Sequence, residues 1–157
     1  MSPSRSLDHR EGHRMKSEAT AKWQGDLFGG AGTVDFRSGA AGPLPVSWAS
    51  RTEEAGGKTS PEELIAAAHA ACFSMAFSNE LAGAGFPPEN LDTKAVASFS
   101  KGDDGFRIRR MELTVDATVP GIDADTFAEK ADAAKNGCPV SNALAGNVEI
   151  TLNATLV

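Results

Sequence analysis

The stretch from 60 to 83, SPEELIAAAHAACFSMAFSNELAG, constrains the chain more than any other. Ser60 fits a helix N-cap, and Pro61 fits the first helical position, where the missing N–H is not needed. Glu63 completes a Ser-x-x-Glu capping box. Alanine, leucine, methionine and phenylalanine then carry a long helix to Gly83 and Gly85, where it stops. It is apolar nearly all round, through Leu64, Ile65, Ala67, Ala68, Ala71, Phe73, Met75 and Phe77. Such a helix is buried on most sides. In a chain of 157 residues this predicts a central helix wrapped by sheet, with room for a second subunit to complete the wrapping.

The remaining segments supply the sheet. EATAKWQ and GTVDF read as two antiparallel strands joined around DLFGGA. PLPVSWASR reads as a third strand, its prolines suited to an edge, with Arg51 at its end. LDTKAVASFS and GFRIRRMELTVDATV form a hairpin about KGDD. Met111, Leu113, Val115, Ala117 and Val119 alternate, but Phe106 and Ile108 are out of phase with them, which predicts a bulge near Arg109–Arg110. DADTFAEKADAAKN is an amphipathic helix capped by Asp123 and closed by Gly137. PVSNALAG is a short helix with Cys138 at its cap position. NVEITLNATLV is a final strand with Val148, Ile150, Leu152, Ala154 and Leu156 on one face. The order predicts an α+β fold with antiparallel sheet. Residues 1–16 are polar and aperiodic and read as a disordered tail, leaving one domain over 17–157. His9 and His13 in that tail read as solvated side chains rather than a metal site.

The net charge of −6 gives no reason to expect nucleic acid or an anionic membrane surface as a partner. No window approaches the roughly 18 apolar residues of a membrane-spanning helix. The N-terminal residues have no apolar core of a secretory signal. The expected compartment is a reducing cytoplasm, where two cysteines seldom form a structural disulfide. Catalytic, redox or metal roles then gain weight against inert buried thiols.

The two cysteines, Cys72 and Cys138, sit in different surroundings. Cys138 lies between Gly137 and Pro139 at a helix start, where backbone N–H groups favour the thiolate. A cap that happens to be cysteine explains the GCP string equally well. Cys72 is mid-helix among apolar residues, which raises a thiol pKa and keeps it inert unless a cation intervenes. Arg51 is the nearest candidate cation in sequence, and Glu62 can hold an arginine by a bidentate pair. His69 shares a helix face with Cys72. A zinc site from His69, Cys72 and Cys138 lacks the closely spaced ligand pairs of ordinary zinc sites. His69 is read instead as a structural residue satisfied by a hydrogen bond. Phe73, Phe77, Met75 and Phe86 read either as core or as the lining of an apolar pocket.

The strings PEELIAAAHAACFSMA, LAGAGF, VPGID and KNGCPVSNAL, with the opening AKWQGD…GGAGTV, resemble the OsmC branch of the OsmC/Ohr hydroperoxide reductases from about Ala19 to Leu156. The resemblance implies an intertwined homodimer, antiparallel sheets wrapping two long central helices. It implies a thiol-dependent peroxidase for organic hydroperoxides, and more weakly for hydrogen peroxide, with no metal, haem or other cofactor. It implies Cys72 as peroxidatic cysteine, Cys138 as resolving cysteine, and Arg51 and Glu62 as their charged companions, with Arg37 the next candidate arginine. A Cys72 sulfenic acid would be followed by a Cys72–Cys138 disulfide, reduced by a dithiol such as a lipoyl group. Phe73 and Phe77 would then face the organic substrate. A redox sensor, or a non-catalytic stress or binding protein on the same fold, is the competing reading. Glu62 and Cys72 stand about 15 Å apart along one straight helix. Arg51 and Glu62 are therefore expected to serve the partner subunit's Cys72, unless the helix begins later than Ser60.

Overall fold

The computed structural model describes residues 15–157. His9, His13 and most of the expected tail lie outside the described residues. The chain divides into two compact units, the first ending at Lys58 and the second covering Thr59–Val157.

In the first unit, β1 (Ala19–Gln24), β2 (Ala31–Phe36) and β3 (Leu44–Val46) form an antiparallel sheet in chain order. The expected third strand is shorter than PLPVSWASR. Ser47 ends it by capping a helix, α1 (Trp48–Thr52). The Ser47 hydroxyl accepts from the Ser50 N–H at 3.1 Å, and the Ser50 hydroxyl accepts from the Ser47 N–H at 3.1 Å. Two serines at this spacing satisfy both orphan donors, so the backbone turns helical. Arg51 thus sits on α1 and not at a strand end.

The second unit is built on α2 (Pro61–Gly83), which begins where the sequence predicts. Ser60 caps it by accepting from the Glu63 N–H at 3.1 Å. The reciprocal half of the expected capping box is not formed, because the Glu63 carboxylate accepts from the Thr59 hydroxyl at 2.7 Å instead. At the far end Phe86 N–H reaches Leu81 C=O and Gly85 N–H reaches Ala82 C=O, with Gly85 at φ +90°. That is the Schellman arrangement, which needs the left-handed residue glycine tolerates.

A hairpin follows, β4 (Asn90–Gly102) and β5 (Gly105–Thr118). Ser98 pairs with Arg110 and Phe99 with Ile108, so Arg109 is the extra residue of a bulge. This is where the phase change between Ile108 and Met111 requires one. Then come α3 (Ala124–Gly137), α4 (Pro139–Leu144) and β6 (Glu149–Leu156). Here one expectation is corrected. β6 runs parallel to β5, so the second sheet, ordered β4-β5-β6, is mixed and not purely antiparallel. The two helices between β5 and β6 form a crossover, which carries the chain back to the same end of the sheet before it re-enters.

The core of this unit lies between α2, α3 and the sheet. Met111, Leu113, Val115, Ala117 and Val119 on β5 are all buried. Phe73, Phe77 and Leu81 meet them from α2, and Phe127, Ala131 and Ala134 from α3. Phe77 stands 5.5 Å from both Phe73 and Phe127, ring centre to ring centre. Within this chain α2 is not buried on most sides. It buries His69, Phe73, Phe77 and Leu81 at intervals of one turn, while Ala67, Ala68, Ala71 and Met75 are exposed, Met75 at 71%.

Candidate active site

Two thiols far apart in sequence come together in the second unit. α2 presents a half-buried Cys72 toward α4. Cys138 is fully buried at the corner where α3 ends and α4 begins. Its N–H closes α3 on Ala134 C=O at 2.9 Å, and its C=O opens α4 by accepting from Asn142 N–H at 3.0 Å. Pro139 fits this corner because the first helical position needs no N–H. Neither cysteine is in a disulfide, and the two thiols lie close enough to bear on each other's ionisation.

Their acidities are pulled apart. Burial pushes the Cys72 thiol up, the contact with Cys138 adds to this, and only the Val140 N–H opposes it. Burial also raises Cys138, but the Cys72 thiol, the Ser141 N–H and hydroxyl, and the Val140 N–H outweigh it. Cys138 therefore lies below an ordinary thiol. Within this unit the first thiolate forms on Cys138, as its place at a helix start predicts.

Behind Cys138 lies a polar pair that the sequence did not single out as a unit. His69 is fully buried, and its Nε2 is 2.8 Å from the Ser141 hydroxyl. Ser141, itself buried, stands at the third position of the helix that Cys138 caps and bears on the ionisation of the Cys138 thiol. His69 is thus the hydrogen-bonded helix residue expected, but its partner was missed. The signal was the Cys-x-x-Ser spacing of CPVS, which turns Ser141 at the third helical position back toward the cap. With Nε2 engaged by Ser141, the zinc arrangement of His69, Cys72 and Cys138 is not formed. Among the described residues no three metal-ligating side chains converge.

Burial lowers the His69 pKa from its ordinary value of 6.5. Above that value neither folded nor unfolded chain holds the proton. As pH falls through it, the unfolded chain binds the proton first, and stability is lost. The urea midpoint should therefore fall between about pH 7.5 and 5.5. His69→Gln should flatten that decline, and an unchanged slope would remove His69 as its source.

The charged companions are placed separately. Glu62 is buried in the first turn of α2, where a carboxylate suits the helix dipole. Because α2 is unbroken from Pro61, Glu62 and Cys72 are separated by about 15 Å of helical rise. The alternative that the helix starts later is excluded. Arg51 belongs to the first unit, its guanidinium 5.3 Å from the Trp48 ring centre. Arg37 follows β2, its N–H bonded to Glu18 C=O at 3.0 Å. Phe73 and Phe77, entered above as substrate-facing rings, are placed in the core with no exposed surface. Their spacing of one turn aligns both with the buried face of α2.

The OsmC-like protein family matches residues 54–153 by its sequence pattern. The chain is 49% identical to Peroxiredoxin OsmC of Escherichia coli (strain K12) over 142 residues, 90% of this chain and 97% of that protein. It is 29% identical over 120 residues to the Organic hydroperoxide resistance protein-like of Staphylococcus aureus (strain MSSA476), covering 73% and 81% of the two chains. The crystal structure of the organic hydroperoxide resistance protein OhrB of Bacillus subtilis superposes with a TM-score of 0.70 at 23% identity, covering 90% of this chain and 98% of that one. An organic hydroperoxide resistance protein from Elizabethkingia anophelis superposes equally well, at 0.70 and 25% identity, over 92% of this chain and 98% of that one. The paired thiols, the long helix under them and these likenesses together place the chain in the OsmC family.

Proposed function

We propose that this protein is a thiol peroxidase that reduces organic hydroperoxides to alcohols, and hydrogen peroxide more weakly, in a reducing cytoplasm. The observation that carries the reading is the approach of Cys72 and Cys138, two free thiols far apart in sequence that bear on each other's ionisation. The 49% identity to a named peroxiredoxin supports it. The Cys72 thiolate attacks the terminal peroxide oxygen, the O–O bond breaks, and the alkoxide leaves as alcohol. Cys72 is then a sulfenic acid. Cys138 attacks its sulfur, water is released, and an external dithiol, such as a lipoyl group, reduces the disulfide.

The acidities define what Arg51 must do. Left to themselves, the two sulfurs favour the thiolate on Cys138. A guanidinium close to Cys72 reverses this order, since an opposite charge at contact shifts a pKa by about 1–3 units. We assign that charge to Arg51, held by Glu62 and acting on the partner subunit's Cys72 in a homodimer. The unbroken α2 supports the crossed arrangement, because one chain's Glu62 and Cys72 are too far apart to share an arginine. The exposed Ala67, Ala68, Ala71 and Met75 supply an apolar face for a second copy. Arg51→Ala should lower kcat/KM by about ten- to a thousandfold. Arg51→Lys should recover only part of it, because an ammonium lacks the planar fork. Full activity in Arg51→Ala would move the role to another cation, Arg37 first.

The test is consumption of cumene hydroperoxide with dihydrolipoamide or dithiothreitol. Steady turnover supports the peroxidase. A disulfide that forms but is not turned over by any dithiol favours a redox sensor. Cys138→Ser should reduce about one equivalent of peroxide per chain and then stall or over-oxidise at Cys72. Mass spectrometry of the intact chain distinguishes those end states.

A further inference from the structure

The reaction above makes no use of His69, although it is a fully buried titratable side chain. Its Nε2 lies 2.8 Å from the Ser141 hydroxyl. Ser141 stands at the third position of the helix that Cys138 caps, next to the cap side chain, and both Ser141 and Cys72 bear on the ionisation of the Cys138 thiol. The line His69–Ser141–Cys138–Cys72 crosses from the inside of α2 through the first turn of α4 and back to α2. The Nδ1 of His69 is buried with no hydrogen-bond partner. A buried N–H without an acceptor costs more than an unused lone pair, so the proton belongs on Nε2. Nε2–H then donates to the Ser141 oxygen, and the Ser141 O–H is left to donate to the Cys138 sulfur. Each donation polarises the next, which strengthens the bond that ends on sulfur.

We propose that His69 and Ser141 are positioning residues for the resolving half of the cycle, a buried donor chain that favours ionisation of Cys138 beside Cys72. This rests on the peroxidase reading for its place in the cycle. The Cys138 thiol loses its proton to solvent, and its thiolate electron pair forms the S–S bond. The S–O bond of the Cys72 sulfenic acid breaks, and hydroxide leaves and takes up a proton. The sum is one thiol and one sulfenic acid giving one disulfide and one water. No charged group is needed next to Cys138. Its acidity is set by the Cys72 thiol, the Ser141 N–H and hydroxyl, and the Val140 N–H, while His69 responds to burial alone. The arrangement divides the labour: a cation selects Cys72, and a neutral dipole chain serves Cys138.

The test titrates the Cys138 thiolate by its ultraviolet absorbance in a Cys72→Ser background, with Ser141→Ala, His69→Leu and His69→Gln added one at a time. Ser141→Ala and His69→Leu should each raise the midpoint by about one pH unit, a roughly tenfold loss of thiolate near neutrality. His69→Gln keeps an amide donor and should stay close to the parent. In chains with both cysteines, closure of the disulfide by diamide should slow about tenfold in the first two variants. With peroxide, closure should slow by that factor relative to sulfenic-acid formation. If Ser141→Ala and His69→Leu both fold and titrate as the parent does, while only the urea midpoint falls, His69 is a packing residue and the proposal is wrong. A wild type that reduces no peroxide defeats the peroxidase reading, and the titration still decides the donor chain.

Discussion

Cys72→Ser lowers peroxide consumption to the rate of the dithiol alone. A serine hydroxyl is not ionised at neutral pH and does not form a sulfenic acid, so the nucleophile is lost outright. The fold should survive, because Cys72 is only half-buried and serine is close to it in size. Circular dichroism and the urea midpoint check that. The result is decisive for a specific reason. Within one chain Cys138 is the more acidic sulfur, yet the proposed cycle begins on Cys72. If Cys72→Ser keeps a single-turnover burst and Cys138→Ser has none, the roles are exchanged, and Arg51 has no selecting function. If Cys72→Ser is silent and Cys138→Ser gives the burst, a cation outside the thiol pair sets the order.

Phe77→Ala destabilises the protein by about 3–5 kcal/mol. The ring has no exposed surface and sits between Phe73 and Phe127, so its removal leaves a cavity that three elements border. Against a domain's total stability of about 5–15 kcal/mol this is a large share. Urea unfolding at fixed protein concentration measures it, since a dimer's stability depends on concentration. Where the variant still folds, the preference for cumene hydroperoxide over hydrogen peroxide should be unchanged. A shifted preference with little loss of stability would return Phe77 to the pocket-lining reading of the apolar residues.

Much of the fold was legible because the local signals agreed. Ser60 and Pro61 start α2 and Gly85 stops it, each by its own backbone chemistry. The phase slip between Ile108 and Met111 located the bulge at Arg109, since strand side chains alternate strictly. The extended reading of Ser47–Arg51 failed because a reciprocal pair of serine caps outweighed the pattern of the neighbouring strand. Glu63 was drawn away from the expected box by Thr59, a neighbour that competes for the same carboxylate. The direction of β6 was not legible. Alternation tells which face a strand buries but not which way it runs, and only the helical crossover decides that.

For the site, the sequence determined the two cysteines and their contrasting surroundings. A thiol at a helix start and a thiol in mid-helix differ by local electrostatics, and both directions of shift appear in the fold. It also determined that Glu62 and Cys72 stand about 15 Å apart along α2, because helical rise is fixed at about 1.5 Å per residue. Only the tertiary structure decided that the two thiols come near each other, that Phe73 and Phe77 point into the core, and that His69 meets Ser141 beside Cys138. These are contacts between helices distant in sequence. No local propensity encodes them, and they exist only once α2 and α4 are packed against each other.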